Sequence, residues 1–338
     1  MQAVLWRRYG PPDILTLGEA PMPIPEPGEI RVCVRATTVT SGDARLRGCR
    51  GAGIFWLPLR LVFGLWRPRH PIPGMEFAGE VEAVGCDVTG FALGDRVFGM
   101  APRGAHAEYL TLPATGCVAL QPRGLSHEQA AALPFGALTA LVFLRDVVRW
   151  HSGERLLVHG AAGAVGVHAV QLGRHFGLEV TAVASARHAQ MLRGLGAAHV
   201  LDRASQDFTA GAARYDVVLD VVGGTRFRRT RRVLAPGGRH VLLNFGLRDL
   251  AWMLWTSLRP GHRLRCGLAG SSQADLLVLR DLVEEGALRP VIGQEMALEQ
   301  IVAAHALVDS HRKHGALVLR VGGAAYSGLM PAPRITAA

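Results

Sequence analysis

LLVHGAAGAVGVHAVQLGRHFGLEV, residues 156–180, is an apolar run, a glycine-rich turn, a helix-length segment and a second apolar run. An apolar strand that opens onto Gly160, Gly163 and Gly166 and then onto a helix is the arrangement that holds a dinucleotide pyrophosphate. The glycines let the backbone approach the phosphates. The first free N–H groups of the helix, here those of Ala164, Val165 and Gly166, carry partial positive charge toward the anion. The stretch predicts a nucleotide cofactor before any substrate is known.

Outward from it, strands and helices alternate from residue 155: LLVHG, a helix to Phe176, EVTAVA, a helix around 189–195, HVLD, YDVVLDVVG, a helix around 227–234, and RHVLLNFG. Alternation of this kind predicts right-handed βαβ units and a doubly wound parallel sheet, over residues 122–264. Upstream, residues 28–122 have another texture. Residues 29–39 and 79–84 alternate apolar and polar side chains as half-buried strands do, and 91–99 and 105–112 continue as short strands between glycines and prolines, so a small antiparallel barrel is expected. The period changes at Leu125, where Ser126 and Gln129 form a capping box for an alanine-rich helix broken at Pro134 and resuming through Val147. Helices at 274–285 and 298–310 and a strand at 315–321 follow, and residues 324–338 lack periodicity and read as a loose tail.

With 338 residues, 49% hydrophobic and 19% charged, the chain can bury two medium cores. The longest greasy stretches, 54–66 and 250–258, fall short of a membrane span, and Arg60 interrupts the first. Arg7 and Arg8 have no apolar core and small-residue cleavage site behind them, so a cytoplasmic location is expected. Cys33, Cys49, Cys86, Cys117 and Cys266 are odd in number and scattered, with no C-x-x-C pair, which suggests neither a disulfide framework nor a zinc knuckle. The net charge of +10 would suit a polyanion, but Lys313 is the only lysine, and the excess reads as a compositional bias toward arginine. Neither a nucleic-acid nor a membrane partner is expected, and the arginine run at 226–232 reads as a solvated helix face.

PGMEFAGEVEAVG (73–85), FALGDRVFG (91–99), GALTAL (136–141), HGAAGAVG (159–166), VTAVASARHAQMLRGLGAAHVLD (180–202) and YDVVLDVVGG (215–224) together resemble the medium-chain dehydrogenase/reductase superfamily. The resemblance is to its zinc-free quinone oxidoreductase branch, whose members are often labelled NAD(P)-dependent alcohol dehydrogenases. It implies an α/β protein with a GroES-like catalytic domain at 1–121, a Rossmann domain at 122–264, a return to the catalytic domain at 265–323, a tail at 324–338, and a homodimer.

Zinc-dependent relatives place a cysteine in the turn after the first strand pair and a histidine in a G-H-E motif. This chain reads Thr40-Ser41-Gly42-Asp43 and Gly74-Met75-Glu76, and Gly99 runs straight on through Pro102 to His106 without a four-cysteine lobe. Two missing ligands are not replaced by a hydroxyl and a thioether, so no metal is expected despite fourteen histidines. The cofactor is expected to be NADP(H). The second strand of the sheet ends in Ala184-Ser185 where an acid would bind a ribose diol, and Arg187, with His188 or Arg203, offers a cation for a 2′-phosphate. The resemblance adds Thr139 beside the nicotinamide half, and the sheet's carboxyl edge adds Val222, Gly223, Asn244, Phe245 and Gly246. Lys313 matches a basic residue near the cofactor phosphates or is a plain surface lysine.

Without a Lewis acid, direct alcohol oxidation is hard, whereas a quinone or an α,β-unsaturated carbonyl accepts hydride and needs only hydrogen-bond donors and a proton. Relatives carry an asparagine in a V-N-x-x-D turn; here Thr40 takes that place and Asp43 keeps the family position, as a polar group at the site or as a turn-capping carboxylate. Residues 51–70, apolar with interspersed arginines, read as a mouth for a hydrophobic acceptor or as a packing surface. The leading expectation is an NADPH-dependent, zinc-free reductase of quinones or enones. An NADP-linked alcohol or aldehyde oxidoreductase comes next, followed by a non-catalytic NADPH sensor or RNA-binding protein.

Overall fold

The computed structural model describes residues 1–49 and 56–322. The expected tail at 324–338 and the start of the apolar segment, 51–55, lie outside the described residues. Fifteen strands are described in chain order: β1 Gln2–Leu5, β2 Thr16–Glu19, β3 Glu29–Thr38, β4 Glu76–Val84, β5 Arg96–Met100, β6 Tyr109–Pro113, β7 Val118–Leu120, β8 Arg155–His159, β9 Glu179–Ala184, β10 His199–Asp202, β11 Tyr215–Asp220, β12 Leu234–Leu242, β13 Arg263–Cys266, β14 Ile292–Ala297 and β15 Ala316–Arg320.

The parallel sheet has the order β10-β9-β8-β11-β12-β13, so the chain reverses direction across the sheet between β8 and β11. The other large sheet is built on β3. Its first half pairs with β6 and its second half with β15, both antiparallel, while β4 runs along its other edge. This bifurcated pairing rolls the sheet toward a barrel and returns the C-terminal strand to the N-terminal domain.

The structure corrects several expected boundaries. The strand expected at 79–84 begins at Glu76, and the one expected at 91–99 begins only at Arg96, because 91–95 are turn residues in which Asp95 accepts from the Ala92 N–H at 2.8 Å. Before β6 the chain makes a single bridge, Ala107 to Ala3. The helix expected at 227–234 stops at Thr230, since β12 has begun by Leu234. The parallel sheet also gains β13, which follows an unanticipated helix, Leu247–Ser257, and runs two residues beyond 264.

The Ser126–Gln129 capping box forms, and Pro134 occupies the first turn of the helix Pro134–Val142, where its missing N–H costs nothing. Residues 127–148 are the one helical stretch among the described residues long and apolar enough to cross a membrane, and 78% of that window is buried inside the protein. Its side chains join residues of the sheet built on β3, such as Phe98 and Val318, to residues of the parallel sheet, such as Leu156 and Val180, in one apolar core. At Gly136 a Cβ would lie 2.5 Å from the Ala164 carbonyl oxygen and 2.8 Å from the His168 ring, so this helix can press directly on the helix that follows β8. Gly136→Ala is expected to lower stability by ~1–3 kcal/mol through overpacking, read as a lower midpoint in urea with an unchanged m-value. An unshifted midpoint would mean that the two helices separate freely.

Candidate active site

At the end of β8, Gly160 turns the chain with φ +87°, and a Cβ there would meet the Val222 side chain at 2.4 Å. Gly163 is the N-cap of the helix Ala164–His175 and supplies no side-chain cap. The first N–H of this segment to find a helical acceptor is that of Val167, on the Gly163 carbonyl at 3.0 Å. The bridge between Gly163 and Gly315 turns the Ala164 N–H toward the Gly315 carbonyl, and the N–H groups of Val165 and Gly166 have no acceptor among the described residues. Gly166 is the contact glycine: a Cβ would lie 2.3 Å from the Gly160 carbonyl oxygen, so only hydrogen lets the helix seat on the turn. The result is an open helix N-terminus facing a cleft of 510 Å³.

One end of the cleft is cationic. Ser185, Arg187 and Arg203 line it together with Arg312. No side-chain bond of Ser185 caps the turn that it starts. The Arg187 guanidinium rests on the His188 ring nitrogen at 3.0 Å and the Arg312 carbonyl at 3.4 Å, and neither it, Arg203 nor Arg312 forms an ion pair among the described residues. Burial holds the His188 imidazole below its usual pKa, and His314, with ring centroids 5.0 Å apart, and Arg187 add to the effect. Asp202, opposite Ala184 at the end of β10, spends its carboxylate on the N–H groups of Ala186 and Ala204, each at 3.2 Å. Unpaired cations without a facing carboxylate fit a phosphate dianion.

The other end is walled by the helix Ser41–Gly48 and by Phe135. Thr40 and Asp43 form its capping box: Thr40 Oγ1 accepts from the Asp43 N–H at 3.0 Å, and Asp43 Oδ2 accepts from the Thr40 N–H at 2.8 Å. Both side chains are buried and neither lines the cleft; Ser41, Ala44 and Arg45, on the adjoining face of that helix, do. The Arg45 guanidinium crosses the cleft to Asn244 Oδ1, while Asn244 Nδ2 donates to the Val221 and Val222 carbonyls at 2.9 Å each. Thr139 stands one turn behind Phe135, away from the cleft lining. Val222 lines the cleft, but Gly223, Phe245 and Gly246 do not. Gly223 donates its N–H to Asp220 at 2.7 Å, Phe245 packs on the apolar cluster of Leu157 and Val183, and Gly246 starts the helix Leu247–Ser257.

Several site groups escaped the sequence reading. His159 lines the cleft, and its Nδ1 meets Asp220 Oδ1 at 2.8 Å. Burial pushes the Asp220 carboxyl up, but hydrogen bonds from His159, Thr225 and Gly223 outweigh it and hold the group at about 2. Behind Phe135 lies Glu76, whose Oε1 accepts the Phe135 N–H at 2.6 Å and whose Oε2 accepts from Thr38 Oγ1. Burial pushes its carboxyl up to about 7, against those two hydrogen bonds. Lys313, already a candidate from the sequence, reaches the cleft from the segment before β15, with Nζ donating to the Gly315 carbonyl at 3.3 Å. Burial holds its ammonium below the usual lysine value, while Glu76 and Asp43 pull it back up. Among the described residues, no group of three or more His, Cys, Asp or Glu is placed to hold a metal ion.

Because the folded chain holds the Glu76 proton more tightly than the unfolded chain, with its ordinary value of 4.5, this carboxyl's contribution to stability is complete below about pH 4.5 and is lost as the pH rises through about 7. Glu76→Gln keeps the shape and the neutral state. Its unfolding free energy should exceed the parent's at about pH 8 by up to ~3 kcal/mol and converge with it near about pH 5. Parallel pH profiles for the two proteins would contradict the assignment.

Two family models match the chain: an alcohol dehydrogenase GroES-like domain over residues 26–122 and a zinc-binding dehydrogenase over residues 195–319. Quinone oxidoreductase of Pseudomonas aeruginosa is 31% identical over 329 residues, covering 92% of this chain and 97% of that protein. The spectinabilin polyketide synthase system protein NorB of Streptomyces orinoci is 34% identical over 89% of this chain, which spans only 13% of that relative's length. Among solved structures, the quinone oxidoreductase from Coxiella burnetii superposes with a TM-score of 0.83 at 29% identity, covering 95% of this chain and 99% of that one. A mycobacterial protein complexed with NADPH superposes with a TM-score of 0.79 at 26% identity, covering 95% and 99%. The chain belongs to the quinone oxidoreductase-like branch of the medium-chain dehydrogenase/reductase superfamily of oxidoreductases.

Proposed function

We propose that the chain binds NADPH and reduces a hydrophobic quinone or α,β-unsaturated carbonyl without a metal. The observation that carries this reading is the pairing of an open helix N-terminus, at Val165 and Gly166, with a cationic pocket of Ser185, Arg187 and Arg203 in one cleft. The first suits a pyrophosphate and the second a 2′-phosphate, and the NADPH-complexed mycobacterial relative is consistent with both. When bound, NADPH supplies the hydride. The chain's own residues then have three tasks. Gly160, Gly163 and the first turn of the helix hold the phosphates. Ser41 and Arg45 present donors at the barrel end of the cleft, where an acceptor's oxygen would gain negative charge. Lys313 keeps an ammonium in the cleft wall as a proton source, with Glu76 behind Phe135.

Thr40 and Asp43 are proposed as positioning residues: their capping box fixes the start of the helix and hence the aim of Ser41 and Arg45. The zinc-free part rests on the residues at the two turns, which offer no thiolate and no imidazole there. An alcohol or aldehyde oxidoreductase is the second reading, favoured by the zinc-binding dehydrogenase match, but it asks for a Lewis acid that this ligand set does not provide. A cytoplasmic homodimer is also proposed. The outer edge of β13 has no pairing strand among the described residues, Leu254, Trp255 and Leu258 are exposed on the helix and turn before it, and all five cysteines are free.

The exposed Arg187 gives the direct test. Arg187→Ala should raise the dissociation constant for NADPH ~10-fold or more, the loss of one charged hydrogen bond, and leave that for NADH within about twofold. Equal effects on both nucleotides would remove the 2′-phosphate assignment.

A further inference from the structure

Residues 60–71 form a surface that the cleft leaves unused. The helix Trp56–Phe63 ends at Gly64, where φ is +124° and a Cβ would lie 2.0 Å from the Arg67 carbonyl oxygen. The chain then folds back on itself. The Arg69 N–H donates to the Phe63 carbonyl at 2.8 Å and the Arg60 guanidinium to the Leu65 carbonyl at 2.6 Å. A second set of contacts fastens this turn to the N-terminal segment: the Tyr9 hydroxyl donates to the Gly64 carbonyl at 2.8 Å, the Trp6 N–H donates to the Pro71 carbonyl at 2.6 Å, and the Arg60 guanidinium lies over the Tyr9 ring at 4.1 Å. On the helix end and turn held this way, Leu61, Val62, Leu65 and Trp66 are 56%, 63%, 43% and 86% exposed. Apolar side chains that a fixed backbone holds in water form a surface built for contact.

The charge around them selects the partner. From residue 44 to residue 75 the sequence has no aspartate and no glutamate. Arg67, Arg69 and His70 are exposed on the turn itself, as are Arg7 and Arg8 on the segment between Trp6 and Tyr9 that fastens it. Arg103 is near enough to His70 to help hold its pKa down, after burial and ahead of Arg69. Arg7, Arg8, Arg67, Arg69 and Arg103 form no ion pair among the described residues. Exposed tryptophan, leucine and valine ringed by arginine is the composition of a surface seated at the headgroup level of an anionic bilayer, where apolar side chains enter the acyl boundary and guanidinium groups meet phosphates. A nucleic acid would satisfy the arginines and leave Leu61, Val62 and Leu65 in water, and a second copy of the same face would set arginine against arginine.

We propose, against the expectation from the sequence that no membrane partner is involved, that this face docks the protein reversibly on an anionic lipid bilayer. The inference is independent of the cofactor and of the acceptor. To test it, the full chain is sedimented with vesicles of phosphatidylcholine alone or mixed with phosphatidylglycerol, at low and high salt. The expected result is binding to the mixed vesicles only, weakened by salt, and lowered ~10-fold by Trp66→Ser and again by the double substitution Arg67→Ser/Arg69→Ser, with unfolding midpoints unchanged in both variants. Absence of binding, equal binding to phosphatidylcholine alone, or binding that Trp66→Ser leaves intact would overturn the proposal. So would a Trp66-dependent dimer, or Arg67- and Arg69-dependent binding to an RNA homopolymer, in a protein that ignores the vesicles.

Discussion

The contact between Gly166 and the Gly160 carbonyl is the constraint on which the site rests. With a Cβ excluded at 2.3 Å, the helix Ala164–His175 sits directly on the turn that leaves β8, and its first N–H groups face the cleft instead of a side-chain cap. The same turn anchors the other domain. The Gly315 N–H donates to the Ala162 carbonyl at 2.9 Å, and Gly163 forms a bridge with Gly315, which brings Arg312 and Lys313 from the segment before β15 against the glycine turn. On the barrel side, the buried Arg47 pairs with Asp309 at 2.5 Å and ties the helix Ser41–Gly48 to the helix Ile301–Asp309. The cleft is thus assembled from both ends of the chain around one backbone approach.

Charge is distributed to match. The carboxylates near the cleft are already engaged: Asp43 by its helix cap, Asp220 by His159, Thr225 and Gly223, Asp309 by Arg47, and Asp202 by backbone N–H groups. The guanidinium groups of Arg187, Arg203 and Arg312 have no such partner among the described residues. An anion entering the cleft therefore meets cations whose countercharges are used elsewhere. Glu76, held by the Phe135 N–H and Thr38 Oγ1, differs in that burial pushes its carboxyl up to about 7, behind the Phe135 wall of the cleft.

What the sequence disclosed and what it hid follow one physical line. The glycine turn, the alternation of strands and helices, the Ser126 cap and the absence of an acid after Ala184 are local patterns; the structure sets Gly160, Gly163, Ala184 and Ser185 on the cleft, while Ser126 caps the helix His127–Ala131 outside its lining. The groups at the barrel end depend on contacts across the chain. His159 becomes a site residue because β8 and β11 are neighbours, and Glu76 because the Pro134–Val142 helix lays its Phe135 N–H on the carboxylate. Ser41 and Arg45 could have been reached from the sequence. Once Thr40 and Asp43 are seen as a capping box, a helix follows in which 41, 44 and 45 share a face. The helix Leu247–Ser257 and β13 gave no alternating pattern, because the helix leaves Leu247, Leu254 and Trp255 exposed.

The proposed reaction is delivery of hydride from NADPH in this cleft to an activated acceptor, with the chain's own side chains as donors. The most direct measurement follows the absorbance of NADPH with the full chain and a panel of quinones, α,β-unsaturated carbonyls and aldehydes, with and without a metal chelator. The account predicts oxidation by at least one quinone or unsaturated carbonyl at a rate that the chelator leaves unchanged. NADPH that binds but is oxidised by none of them, or a rate that the chelator abolishes, would contradict it.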